Sequence, residues 1–120
     1  MTAQTGKKTV LFAFRGDPLC FIHVLLNAID LNERGREGII VLEGESVTLV
    51  AQMRESSHVL NTLYEKAKDL GLIFGACKAC ATKLEALDAI KEEKIPLIAE
   101  MSGHPAMGDF MDKGYSVVTF

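Results

Sequence analysis

The sequence predicts a single α/β domain in which helices cover a mostly parallel, five-stranded sheet on both faces. Its 120 residues, 48% hydrophobic and 24% charged, have the size and composition of one globular domain. Short apolar runs rich in β-branched and aromatic residues alternate with longer segments of helical periodicity. The connections between these runs are long enough for the right-handed crossovers of a parallel sheet. We therefore expect residues 1–120 to form one three-layer α/β/α domain.

The first strand and helix are predicted from an apolar run and a capping signal. The continuous run Thr9–Phe14 predicts a buried, central strand. Asp17 is a suitable N-cap, and Pro18 suits the first helical position that follows it. We expect this helix to end at Arg34-Gly35. Its predicted apolar face consists of Leu19, Ile22, His23, Leu26 and Ile29.

The next segment predicts a second strand and a second long helix. The apolar run Gly38–Glu43 forms the strand. Residues Val47–Val50 fit either a β segment or the start of a helix, and we favour a loop and a short helix through Met53. The helix Ser57–Leu70 is clearer, since Gly71 follows it as a stop signal. Its predicted apolar face consists of Val59, Leu60, Leu63 and Ala67.

The second half of the chain supplies the remaining strands. Leu72–Phe74 predicts a short buried strand, and a helix follows from Ala79 through Ile90, with a break near Leu87-Asp88. Leu97–Ala99 predicts a short strand after Pro96. Pro105 begins a last helix that Lys113-Gly114 ends, and Tyr115–Phe120 forms the final strand.

Two cysteines at the predicted junction of the third strand with its helix are the main candidates for chemistry. The first N–H groups of a helix stabilise a thiolate, so we expect a lowered pKa at Cys77, with a contribution from Lys78. Cys77 is then the candidate nucleophile, and Cys80 lies one turn further along the helix. Plain packing is an alternative for both cysteines. A closed zinc site is another, but it needs about four ligands, so Cys20, His23 or His104 would have to converge on the pair, or subunits would have to share ligands.

Other polar residues follow predicted strands and are candidates for the same site. In parallel sheets, ligands gather beyond the carboxyl ends of the strands. Arg15-Gly16, Glu43 and His104 occupy such positions, although acidic loop residues such as Glu43 are usually only solvated. Cys20 is expected to pack in the core but lies close enough to the first strand to be considered. There is no dinucleotide-binding glycine motif and no phosphate-binding loop, and we expect no cofactor and no resident metal.

Composition limits the compartment and the partners. A net charge of −3 gives no basic footprint, so nucleic acid is not an expected partner. The polar segment Met1–Lys8 resembles neither a signal peptide nor a membrane span. Three cysteines without a secretory signal indicate reduced thiols in the cytoplasm. Five methionines, with Phe21 and Phe110, suit a subunit interface, although core packing explains them equally well. We expect a homo-oligomer.

The chain resembles the DsrE/DsrF-like proteins, which include sulfur-relay subunits of the TusD type. The resemblance rests on the small loop after the first strand, the Gly-Leu-Ile-Phe-Gly-Ala-Cys run ending at Cys77, and the closing Gly-Tyr-Ser-Val-Val-Thr-Phe strand. It implies a small cytoplasmic α/β domain that forms homo- or hetero-oligomers. It also implies that Cys77 carries sulfur as a persulfide and exchanges it with a sulfur-donor or sulfur-acceptor protein. Cys80 departs from the single-cysteine pattern of the sulfur-relay members.

The resemblance and the residues together give a set of expected roles. Cys77 would carry the sulfur, Lys78 and local N–H groups would stabilise its thiolate, and Cys80 would act as a resolving thiol. His104 would serve as a proton donor if its loop folds over the junction. Arg15 and Gly16 would contribute to binding. Two alternatives remain: a non-catalytic oligomeric module that binds a small ligand or protein, and a metal-binding protein that uses Cys77 and Cys80.

Overall fold

The computed structural model describes residues 7–120 and confirms a single α/β domain built on a five-stranded parallel sheet. The segment 1–6, which contains most of the polar N-terminus considered above, lies outside the described residues. The strands are β1 (Lys8–Ala13), β2 (Glu37–Leu42), β3 (Ile73–Cys77), β4 (Leu97–Ile98) and β5 (Tyr115–Thr119). Their order across the sheet is β4-β3-β2-β1-β5, so β1 is an interior strand and β2 is the middle one. All carboxyl ends therefore lie at one edge of the sheet.

Helices cover both faces of the sheet, but unequally. The α-helices are α1 (Pro18–Glu33), α2 (Leu49–Met53), α3 (Asn61–Asp69), α4 (Lys78–Lys83), α5 (Leu87–Glu92) and α6 (Met107–Asp112), and a 3-10 helix spans Gly44–Thr48. Buried residues of α1 to α5 pack with one face of the sheet in the larger core, whereas α6 alone supplies the helical part of the smaller core on the other face. The β alternative for Val47–Val50 is wrong, because this segment is helical.

The start of α1 follows the capping signal in the sequence. The Asp17 carboxylate accepts a hydrogen bond from the Leu19 N–H at 2.9 Å, and Pro18 occupies the first helical position. The predicted apolar face of this helix is mostly wrong, however, since Leu19 is 79% exposed and His23 is also exposed. The residues that α1 buries are Phe21, Val24, Leu25, Ala28 and Ile29. This stripe has the same helical spacing and buries an aromatic ring, so it competes successfully for the core.

The aromatic side chains assigned to a subunit interface are part of the cores. Phe21 is 2% exposed, and Phe110 is 6% exposed beneath α6, where its ring meets Phe12 edge-on at 5.6 Å between centroids. Of the two alternatives for Phe21 and Phe110, core packing is therefore confirmed and the interface is wrong.

Val59 was expected to face the core, yet it lies before α3 and is 82% exposed.

The structure also bears on membrane insertion. Among residues 7–120, every helix is too short or too polar to cross a lipid bilayer.

Candidate functional site

Cys77 lies at the strand-to-helix junction that the sequence predicts. It is the last residue of β3 and the N-cap of α4, with extended backbone angles of φ −64° and ψ 119°. Its sulfur accepts a hydrogen bond from the backbone N–H of Cys80 at 3.4 Å. The junction therefore directs Cys77 Sγ toward the edge where the loops after β2, β3 and β4 meet.

The electrostatic setting of Cys77 is the reverse of the expected one. The residue is 0% exposed, and burial raises the pKa of its thiol to about 11. The N–H of Cys80 lowers this pKa, but the Cys80 thiol and the Glu43 carboxylate raise it further. The expected lowering by the start of a helix fails because α4 has only six residues and offers one N–H to the sulfur. Lys78 is exposed, and within the described part of the chain its side chain forms no ion pair.

The loop after β4 brings His104 onto Cys77. His104 Nδ1 lies 3.1 Å from Cys77 Sγ, and the carbonyl oxygen of Gly103 lies 3.6 Å from the same sulfur. That carbonyl also accepts the N–H of Ala79 at 2.9 Å, which ties the loop to α4. Gly103 has φ +93°, and a Cβ there would lie 3.2 Å from Ala79 Cβ. The close approach and the left-handed backbone thus both favour glycine beside His104.

Glu43 is the site residue that sequence reasoning did not select. Its Oε2 lies 3.3 Å from His104 Nδ1, and its side chain is only 14% exposed. Burial raises the pKa of this carboxyl, and the contact with His104 partly offsets the increase. The available signal was positional: Glu43 directly follows β2, and β2 pairs with β3, which ends at Cys77. The general expectation that loop carboxylates are solvated outweighed that signal.

Four side chains from three loops therefore meet at one point. One ligand-type atom each from Glu43, Cys77, Cys80 and His104 lies within 4.8 Å of the other three. Cys80 is half-buried, and its sulfur is the second thiol of the group.

The remaining candidates lie outside this cluster. Arg15 is exposed, and Gly16 packs against Glu45, where a Cβ on the glycine would lie 3.0 Å from Glu45 Cβ. Cys20 is half-buried in the first turn of α1, with its sulfur 4.0 Å from an Asp17 carboxylate oxygen. His23 is exposed on α1.

The cluster permits two kinds of chemistry. A thiol in contact with an imidazole nitrogen has two parts of a base-activated nucleophile, and the Glu43 carboxylate reaches the same nitrogen, Nδ1, rather than the opposite side of the ring. Two sulfurs, an imidazole nitrogen and a carboxylate oxygen are also ligands that zinc accepts. Four surface cavities of 180 to 390 Å³ occur among the described residues, but none of these four is lined by Cys77, Cys80 or His104.

Comparisons with known proteins place the chain among archaeal relatives. No family model matches it. A solved structure, the conserved protein of unknown function BT1422 from Bacteroides thetaiotaomicron, has the same fold, with a TM-score of 0.71 and 18% identity over 100% of this chain and 98% of that one. An uncharacterized protein from Archaeoglobus fulgidus is 36% identical over 54 residues, which are 45% of this chain and 88% of that protein. The uncharacterized protein MJ0733 from Methanocaldococcus jannaschii is 35% identical over 97 residues, 81% of this chain and 77% of that protein. The chain therefore belongs to the same family as MJ0733.

Proposed function

We propose that this protein carries sulfur as a persulfide on Cys77, as its resemblance to the DsrE/DsrF-like proteins implies. The observation that carries the proposal is the contact of 3.1 Å between Cys77 Sγ and His104 Nδ1. A buried thiol with a raised pKa is a poor nucleophile alone, but an imidazole in hydrogen-bonding contact can accept its proton as it reacts. His104 thus replaces the helix start and Lys78 as the source of activation.

The transfer needs no external oxidant. His104 takes the proton of Cys77, and the thiolate attacks the outer sulfur of a donor persulfide. A bond forms between Cys77 Sγ and that sulfur, the donor S–S bond breaks, and the donor leaves as a thiolate that is then protonated. Delivery is the same step in reverse: an acceptor thiolate attacks the outer sulfur and Cys77 leaves as a thiolate. Glu43 Oε2 lies 3.3 Å from the same Nδ1 of His104 and would accept its N–H once that nitrogen has taken the proton.

Cys80 allows a second reaction of the Cys77 persulfide. Its sulfur lies within 4.8 Å of Cys77 Sγ, so it is placed to attack the inner sulfur of the Cys77 persulfide. That attack forms a Cys77–Cys80 disulfide and releases hydrosulfide. A protein or small-molecule dithiol then has to reduce the disulfide before the next cycle.

The surroundings of the sulfur favour a protein or a small sulfur compound as the reactant. The two largest of the four cavities among the described residues, each about 390 Å³, lie elsewhere, which disfavours a bulky substrate held in a preformed pocket. His104 is the polar cover over Cys77, and its side chain is 40% exposed. A donor or acceptor would have to reach the sulfur while this imidazole stays close enough to take the Cys77 proton. Arg15 and Lys78 are exposed near the carboxyl ends of β1 and β3, where a partner protein or a second copy of the chain would dock.

The test is intact-protein mass spectrometry after incubation of the reduced, metal-free protein with a small-molecule persulfide donor. We expect an added mass of about 32 Da, one sulfur atom, localised to Cys77 by peptide mapping. Cys77→Ser should abolish the adduct, whereas Cys20→Ser, the matched control, should retain it.

An adduct confined to Cys20 or Cys80, or no adduct under conditions that load another thiol protein, would refute sulfur carriage at Cys77. The binding-module alternative predicts that all three thiols react slowly.

A further inference from the structure

We infer that Glu43, Cys77, Cys80 and His104 form a closed, four-ligand site for one divalent transition-metal ion of the zinc type. The ligand atoms are a Glu43 carboxylate oxygen, the two cysteine sulfurs and His104 Nδ1, all within 4.8 Å of one another. The inference goes beyond sulfur carriage and does not depend on it, because it concerns metal affinity alone.

The separations between the ligand atoms approach those around a tetrahedral ion. Zinc bonds of about 2.0–2.1 Å to nitrogen and oxygen and about 2.3 Å to sulfur give tetrahedral edges of roughly 3.3 Å for N···O and 3.6 Å for N···S. The observed separations are 3.3 Å between His104 Nδ1 and Glu43 Oε2 and 3.1 Å between His104 Nδ1 and Cys77 Sγ. An outward movement of the His104 ring by a few tenths of an ångström would make room for the ion, since this ring is the most exposed of the measured ligands.

Two other ligand atoms converge on one nitrogen of His104. Nδ1 faces both Cys77 Sγ and Glu43 Oε2, yet a ring nitrogen carries at most one proton. A metal ion at the centre instead accepts a lone pair from the nitrogen, the oxygen and both sulfurs at once.

The ligand types select the metal class. Two thiolates and an imidazole favour zinc and similar ions over magnesium or calcium, which prefer oxygen ligands. Four protein ligands leave no open position, as in structural zinc sites. Binding releases the two thiol protons and forms two metal–sulfur bonds, with no change in oxidation state.

Outer contacts hold the ligands in place. The Cys80 N–H donates to Cys77 Sγ, and the bond between Ala79 N–H and the Gly103 carbonyl joins the segment that bears the cysteines to the loop that bears His104. A metal ion would occupy the sulfur that is proposed to carry a persulfide, so the metal-bound and sulfur-loaded forms exclude each other.

The experiment titrates reduced, metal-free protein with Co²⁺ and Zn²⁺. We expect one Co²⁺ per chain, with thiolate-to-cobalt charge-transfer bands in the near ultraviolet and the intense visible bands of a tetrahedral ion, and displacement of Co²⁺ by one equivalent of Zn²⁺. Cys80→Ser and His104→Gln should each weaken Zn²⁺ binding about 100-fold or more, and Glu43→Gln about 10-fold or more, in competition with a chromophoric chelator. Cys20→Ser and His23→Gln are matched controls and should bind as the parent does.

These variants keep the test independent of folding at the buried Cys77, because Cys80 and His104 are only half-buried. Substoichiometric binding, cobalt spectra without sulfur charge transfer, or unchanged affinity in both Cys80→Ser and His104→Gln would overturn the metal site. The persulfide assay on metal-free protein is a separate test. Tight Zn²⁺ binding with no sulfur adduct would refute only the proposed function, whereas a sulfur adduct without tight Zn²⁺ binding would refute only the metal site.

Discussion

Two cysteines near the starts of helices have very different surroundings in this protein. Cys20 lies in the first turn of α1, a helix of sixteen residues, and its sulfur lies 4.0 Å from an Asp17 carboxylate oxygen. Cys77 caps α4, a helix of only six residues, and contacts His104, Gly103 and the Cys80 N–H. Helix length alone would favour the first cysteine as the reactive one. The candidate site is therefore distinguished by side chains that follow neighbouring parallel strands, and not by the start of a helix.

The largest expected effect is the loss of His104, which should leave Cys77, like Cys20, without an imidazole in contact with its sulfur. His104→Ala should slow persulfide loading at neutral pH about 100-fold, because the buried thiol loses its base. The loading rate should recover as the pH rises toward about 11, the pKa to which burial raises Cys77, since hydroxide then forms the thiolate directly. Loading rates from mass spectrometry between neutral and alkaline pH check both parts.

His23→Ala is the control for this variant, because His23 is exposed on α1 and should not affect loading. A His104→Ala variant that loads sulfur at the parent rate would remove the distinction between the two cysteines.

A smaller effect is expected in the accessibility of the two thiols. Cys20 is half-buried and Cys77 is covered, so a neutral alkylating reagent should modify Cys20 about 10-fold faster or more in reduced, metal-free protein. In denaturant, both should react at similar rates. Peptide mapping at timed intervals measures this order. Equal rates in the native protein would mean that His104 does not shield Cys77.

The smallest expected effect is a difference between two glycines that both have a positive φ angle. Gly103 beside His104 has φ +93°, and Gly35 after α1 has φ +79°. Alanine at either position should lower the free energy of unfolding by about 1–2 kcal/mol, because left-handed angles are unfavourable for a residue with a Cβ.

Only Gly103→Ala should also slow sulfur loading and weaken metal binding, since its Cβ would meet Ala79 at 3.2 Å while nothing lies within 4 Å of a Cβ at Gly35. Chemical denaturation provides the stability of each variant, and the two site assays provide the rest. Equal site defects in both variants would indicate a general loss of stability instead of a displaced His104.

The fold was largely predictable because local signals and global topology agree in this chain. Asp17 and Pro18 begin α1 as their side chains dictate, and apolar runs mark the strands. The buried face of α1 was not predictable in the same way. Leu19 and Phe21 belong to competing stripes of similar hydrophobicity, and only the position of the sheet decides that Phe21 is buried and Leu19 exposed.

The site was predictable in location but not in composition. Cys77 lies at the junction the sequence indicates, and His104 lies beside it because both follow strands that pair as neighbours. The burial of Cys77 depends on the loop that covers it. The position of Glu43 beside Cys77 and His104 depends on the order of strands across the sheet. Both are properties of tertiary structure, which cannot be read from residue type and spacing alone.

The shortness of β4 has a consequence for how Cys77 could be reached. This outermost strand has two residues, and its register with β3 joins Leu97 to Ala76 and Ile98 to Cys77. Peeling away the segment that leads to His104 would break a few backbone bonds at the rim, whereas the six-residue ladder between β1 and β2 would stay intact. Exposure of the sulfur is thus a local event, and its frequency can change without a comparable change in the global stability of the protein.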